Sequence, residues 1–235
     1  IILRNTVGYN LIFIAVSLFM GLAVAILLDE LSSKKGKRLY QMTYLIPYMI
    51  SITVVSYIVY ALLSTDTGFI NNSILIPLGK KGISWYARPN YWPFILVAVN
   101  QWKWLGYNSI IYYSSVIGID SSYYEAATID GATRFQRIRY ITVPLIRSTI
   151  ITMTLLQLGS IFRSDFGLFY QVPMNNGLLF SVTNTIDTYV YRGLLQLNDV
   201  GRSSAAGFLQ SILGFVLVMI TNMITRKIDK ESALF

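Results

Sequence analysis

The stretch VGYNLIFIAVSLFMGLAVAILL, residues 7–28, carries no charged side chain. As an α-helix it would be ~33 Å long, enough to cross the ~30 Å hydrocarbon layer of a bilayer. Buried helices of soluble domains rarely run to about 20 apolar residues without a charge. The same reading repeats along the chain at roughly 41–63, 93–118, 143–162 and 203–225. With 54% hydrophobic and only 13% charged residues, the chain has more apolar surface than a soluble domain of its length can bury. The expected fold is an all-α, polytopic transmembrane helical bundle. No internal repeat or low-complexity linker divides it, so residues 1–235 read as a single transmembrane domain.

The charges orient these spans. Lys34, Lys35, Lys37 and Arg38 fill the first connection, Arg134, Arg137, Arg139 and Arg147 the third, and Arg226, Lys227 and Lys230 the C-terminal tail. Basic loops stay in the cytoplasm, so the second connection, about 64–92, and the fourth, about 163–202, face outside. Trp85, Trp92, Trp102 and Trp104 fall near the outer end of the third span, where an interfacial belt would place them. Lys103, inside that span, is expected to snorkel to the outer interface rather than to mark a permeation path. In the fourth connection, Thr185 to Arg192 reads as a short amphipathic element on the outer surface.

A formal charge of +8 raises nucleic acid as a partner. The basic residues sit beside apolar spans rather than on one face, which is membrane topology, so no nucleic acid is expected. The chain has no cysteine and no histidine. Disulfides, thiolate catalysis, Ser-His-Asp chemistry and the usual zinc sites are therefore excluded, and no metal site is expected. No Gly-x-x-x-x-Gly-Lys-Ser/Thr segment exists to cradle a nucleotide phosphate.

The most informative loop runs Tyr124-Glu125-Ala126-Ala127-Thr128-Ile129-Asp130-Gly131-Ala132, through Arg134 and Phe135, to Ile141-Thr142-Val143-Pro144. Asp120, Ser121 or Ser122 can cap a short helix rich in good helix formers, and Asp130-Gly131 then breaks it. A second helical run from about Thr133 leads to Pro144 at the membrane surface. Two short helices joined at a glycine make a knob, and Ala126, Ala127 and Ala132 leave it thin enough to enter a groove on another protein. Ser122 and Glu125 also fit a simple capping box.

Glu125-Ala126-Ala127, three residues, Gly131, nine residues, Ile141, one residue, then Val143-Pro144 resembles the signature of membrane subunits of binding-protein-dependent ABC importers. Val143 stands where that family usually has leucine. The segments Phe166 to Pro173, Ile186 to Arg192 and Arg226 to Ser232 are similar to the carbohydrate-uptake branch, in particular to polysaccharide or oligosaccharide permeases.

The resemblance implies a type I importer permease with five spans present of six, the first being absent, in line with a chain that opens on Ile1 without a methionine. It implies the cytoplasmic membrane of a prokaryote and half of a path for a carbohydrate. The partners it implies are a second homologous permease, two ABC ATPase subunits and an extracytoplasmic solute-binding protein. ATP and magnesium would be bound by the ATPases, and no cofactor by this chain. The segment at about 121–140 would be the coupling element, with Glu125, Ala126, Ala127, Asp130, Gly131, Arg134, Phe135 and Pro144 at the ATPase. Arg134 and Arg137 would meet acidic groups there or only fix topology.

For the solute path, Asn100, Trp104, Tyr107 and Ser114 share a stripe of the third span, Gln157, Ser160 and Ser164 one of the fourth, and Gln210 belongs to a stripe of the last. Aromatic faces and amides suit sugars, while small and weakly polar residues also serve helix packing. Arg163 and Asp165, at the outer end of the fourth span, suit the solute, a delivering protein or the interface itself.

The alternatives are an ion-coupled secondary transporter, an intramembrane enzyme and a non-transporting scaffold. The first wants a carboxylate near the middle of a span, and none is present. The second lacks the usual catalytic side chains. The loop signature argues against the third.

Overall fold

The second expected span is broken between Met49 and Ile52, beyond Pro47. The computed structural model describes residues 1–228, so Asp229 to Ser232 of the basic ending, Lys230 included, lie outside the described residues. Helix α1 (Ile2–Glu30) is followed by α2 (Lys34–Met49) and α3 (Ile52–Leu63), not by one helix over 41–63. Pro47 brings no N–H to the helical ladder, and Ser51, extended at φ −63° and ψ 146°, restarts the helix by accepting from Val54 N at 3.4 Å.

α4 (Trp92–Ile117) is unbroken. Beyond it the loop folds as α5 (Ser121–Ile129), α6 (Arg134–Arg137) and a π-type turn over Ile138–Thr142, leading into α7 (Val143–Leu145) and α8 (Arg147–Gly159). The fourth span is thus shorter than the expected 143–162. At ~20 Å, α8 cannot cross the bilayer alone. The run Arg134–Leu145 meets α8 at a 61° bend, where Ile146 leaves helical geometry. The short helices α9 (Phe166–Tyr170), α10 (Phe180–Thr183) and α11 (Ile186–Leu195) precede α12 (Val200–Ile228).

No strand occurs among the described residues. Two of their helices, α1 and α12, are by themselves long and apolar enough to span a membrane, and four spans result if each broken pair is one. α4 has the length, but Asn100, Gln101, Lys103 and Asn108 make it more polar.

The chain divides into two compact units. The first comprises Ile1–Phe13, Ile50–Gln101 and Ser160–Phe215. Its core joins Tyr9, Phe13, Val55, Trp92, Leu96 and Phe169. Trp92 is fully buried and donates Nε1–H to the Trp85 carbonyl at 2.9 Å, so it is a core residue rather than part of a lipid-facing belt. Asn71 organises the second connection. Its Nδ2 donates to the carbonyls of Thr65 and Ile83, and its Oδ1 accepts from Ile83 N and Trp85 Nε1, all between 2.9 and 3.1 Å. The element expected at 185–192 exists as α11, capped by Thr185, but its Arg192 is buried. That guanidinium lies 4.1 Å over the Phe180 ring and donates to Asn175, Asn184 and Thr188. Burial lowers its pKa from the usual arginine value.

The second unit comprises Ile14–Met49, Trp102–Gly159 and the chain from Val216. Here α4 meets α2 at Gly106, where a Cβ would collide with the Tyr44 backbone carbonyl, so only glycine permits the approach. Ser115 and Thr149 share a 2.8 Å hydrogen bond between α4 and α8.

Candidate functional site

The basic loop of the second unit is built from its caps outward. Asp120 starts α5, accepting from Ser122 N at 2.9 Å, and this bond, with a further one from the Ser122 side chain, holds its carboxyl below the usual value. Ser122 and Glu125 therefore do not form the capping box. At the other end Gly131 N donates to Thr128 O and Ala132 N to Ala127 O, with Gly131 at φ +76°. This is the Schellman termination, and the left-handed residue at its hinge is what demands glycine, because a Cβ there would meet nothing within 4 Å. A capping box does occur, at the next helix. Gln136 N donates to Thr133 Oγ1 and Thr133 N to Gln136 Oε1, which fixes the start of α6.

Two short helices joined at a glycine are thus present, and side chains tie them together. Tyr124 Oη and Thr142 Oγ1 lie 2.9 Å apart, and Arg137 Nη1 donates to Thr128 Oγ1 at 3.4 Å. Arg134 pairs with Glu30 at the end of α1, at 3.5 Å. Arg137 lines a cavity of about 180 Å³ with Asp29, Glu30, Tyr124 and Thr142. Its Nε is buried there without a partner. The remaining expected residues face outward: Glu125, Ala126, Asp130, Gly131, Phe135 and Pro144 are exposed and Ala127 is partly so.

Sequence reasoning missed three apolar side chains on the same knob. Ile129 is 86% exposed, Tyr140 69% and Tyr123 54%, beside Phe135 at 68%. Such residues on short helices outside any span carry a signal, because nothing in their own element can bury them. On the same knob, a depression of about 300 Å³ is lined by Ala127, Asp130, Gly131, Ala132, Gln136 and Tyr140, among others.

Of the residues expected on a solute path, Trp104 and Tyr107 come together, in the second unit. Their rings lie 6.0 Å apart, and both pack on Tyr48 of α2, at 5.3 Å edge-on for Trp104 and 4.9 Å stacked for Tyr107. Tyr48 was not anticipated, because it lies in another span. The Nζ of Lys103 donates to the Tyr48 carbonyl at 3.3 Å, at the end of α2. Gln157 is partly buried on α8 of the same unit.

In the first unit, Asn100 is buried and accepts from Gln101 Nε2 at 3.4 Å, and Ser160 is exposed after α8. Gln210 of α12 donates to the Phe162 carbonyl at 2.7 Å and to Asp187 of α11. Asp187 also accepts from Ser164 N and Oγ. Asp165 is the N-cap of α9, accepting from Leu168 N at 3.0 Å, and the Arg163 carbonyl accepts from Asn10.

Residues 7–230 match the family described as the binding-protein-dependent transport system inner membrane component. The chain is 34% identical to Protein LplB of Bacillus subtilis (strain 168), over 98% of this chain and 71% of that one. It is 29% identical, over the same shares, to the polygalacturonan/rhamnogalacturonan transport system permease protein YteP of that organism. A chain of a bacterial alginate ABC transporter, crystallised in complex with an alginate pentasaccharide-bound periplasmic protein, superposes with a TM-score of 0.91 at 30% identity. That match covers 97% of this chain and 78% of the other. A match along nearly the whole chain, on a fold this similar, makes this membrane protein a member of the binding-protein-dependent transport system inner membrane component family.

Proposed function

We propose that this chain is a permease subunit of an ATP-driven importer, forming half of the path for a carbohydrate derived from an oligo- or polysaccharide. The observation that carries the reading is the knob of α5 and α6, whose Glu125, Asp130, Ile129 and Phe135 are exposed although its backbone is fully capped. A rigid, thin projection with uncovered apolar tips suits a cleft on another protein. Burying Ile129 and Phe135 there would contribute roughly 1.5–3 kcal/mol each. The sugar-transport names of the relatives support the solute class.

In this reading two ATPase subunits bind ATP and magnesium and this chain binds no cofactor. A second permease completes the path, and an extracytoplasmic binding protein delivers the sugar. The chain crosses the cytoplasmic membrane of a prokaryote five times, each broken helix counting as one crossing and α4 as another. Closure of the ATPases moves the knob, and Trp104, Tyr107, Gln157, Asn100, Ser160 and Gln210 belong to the walls that respond.

The test is co-purification with the companion subunits and ATPase assay with and without loaded binding protein. Wild type is expected to show stimulated hydrolysis. Gly131→Val, which forces a β-branched residue into φ +76°, and Glu125→Lys are expected to insert normally and lose the stimulation. Normal uptake by both variants at normal protein levels would sink the coupling assignment, and failure of any ATPase to associate would sink the importer reading.

A further inference from the structure

Helix α1 ends on two carboxylates, Asp29 and Glu30, with no basic residue in its last turn. The backbone carbonyls of a helix C-terminus already present negative charge, so acids there oppose the helix dipole unless cations from elsewhere meet them. Two cations do so directly, both from within the second unit. Lys37 of α2 donates Nζ to the Asp29 carbonyl at 2.9 Å and lies 3.7 Å from the Asp29 carboxylate. Arg134 of α6 lies 3.5 Å from Glu30.

Arg137, one turn beyond Arg134, is placed for the same acids. Its Nη1 donates to Thr128 Oγ1 at 3.4 Å, and its Nε is buried without a partner in the protein. A guanidinium N–H held away from water is costly unless opposite charge stands close by. The other polar groups lining the cavity of about 180 Å³ at Arg137 are Asp29, Glu30, Tyr124 and Thr142. Tyr124 and Thr142 bond each other, and only the two carboxylates carry charge opposite to Arg137.

The knob is thus fastened twice. The Tyr124–Thr142 and Thr128–Arg137 bonds hold its two helical runs together, and the Arg134–Glu30 pair holds it to the end of a helix remote in sequence. That helix has no break between Ile2 and Glu30, so its last turn moves only with the helix. An exposed ion pair adds little to stability, and the Arg134 side chain is 78% exposed, so altering this pair is not expected to unfold the protein.

We infer that Asp29 and Glu30 are positioning residues of the coupling step: through Arg134 and Arg137 they lock the knob to α1, so that movement of the knob is delivered to α1 and not only to the helices that flank it in sequence. This deepens the importer reading above and rests on it.

The experiment uses the whole transporter in lipid nanodiscs, its companion subunits freed of reactive cysteine. This chain has none of its own, so two introduced thiols report alone within it. Leu27→Cys on α1 and Ser121→Cys on α5, both at exposed positions, carry spin labels, and the distance between them is read by pulsed electron resonance. The probe is ATP with vanadate, which traps the ATPases closed. In the otherwise wild-type chain the distance distribution is expected to be narrow and unshifted by the nucleotide. Glu30→Lys sets a cation beside Lys37, Arg134 and Arg137; it should broaden the distribution and make it shift with nucleotide, and Arg134→Glu should do the same. Together the two reversals restore the narrow, unshifted distribution, which lost packing at either position would not do. Arg134→Lys keeps the charge and stays like wild type. Should a reversal fail to assemble, Glu30→Gln, which removes the pair without adding repulsion, carries the test with a smaller broadening.

A wild-type distance that itself shifts with nucleotide, single variants with the wild-type distribution, or a doubly reversed chain that stays broad would each overturn the inference. If no ATPase co-purifies with the unlabelled wild-type chain, the importer reading falls first and takes the inference with it.

Discussion

Asn71 uses its side-chain amide fully, two bonds given and two accepted, and so ties Thr65, Ile83 and Trp85 into one connection. Asn71→Ala strands two half-buried donors and two carbonyls, and should lower stability by roughly 2–4 kcal/mol, the sum of a few net hydrogen bonds and their desolvation. The measurement is the unfolding midpoint of the purified protein by tryptophan fluorescence, with the conservative Asn72→Ala beside it as the smaller effect, since Asn72 makes one exposed bond to Asp66. Gly131 was readable in advance because an Asp-Gly step carries its own turn chemistry. Asn71 was not, since nothing in Ile70-Asn71-Asn72-Ser73 distinguishes the hub from its neighbour; only contacts 12 and 14 residues away do that. Tyr48 escaped for the same reason, its partners lying in another helix.

Apolar length marked the helical regions, because that signal accumulates over many residues, whereas the basic cluster expected in the first connection falls within α2. Breaks escaped that averaging. Ser51 and Ile146 interrupt expected spans through single backbone conformations, which hydropathy does not register. Caps lie between these extremes. The helix at α5 was legible, but the choice of Asp120 over Ser122 as its cap was settled by geometry.

That cap makes the helix pH-sensitive with a definite sign. The folded carboxyl titrates below its usual 3.8, so the cap's contribution is complete above that value and is lost as the pH falls through the lower folded pKa. Amide exchange over 121–129 in lipid nanodiscs, corrected for intrinsic rates, should show protection constant at neutral pH and declining below about 3.8. Asp120→Asn keeps a capping oxygen without titrating and should abolish that decline.

At the scale of the molecule, the absence of cysteine is an experimental convenience, since any introduced thiol reports alone. Lys35→Cys, at the exposed start of α2, and Lys80→Cys, exposed in the second connection, lie on opposite expected sides and test the charge-derived topology. In intact cells a membrane-impermeant maleimide should label the second and spare the first until the membrane is permeabilised; the reverse pattern would invert the topology. The close approach of α4 to α2 adds a mechanical consequence. Where Gly106 meets bare backbone at Tyr44, there is no side chain to flex, so the helices can rock about that point but cannot slide or roll past it without collision. Such a contact is a fulcrum. Lys103 lies three residues from it, on the same face of the helix, so tilting α4 against α2 turns a lever with its pivot one turn from the only cation in that span.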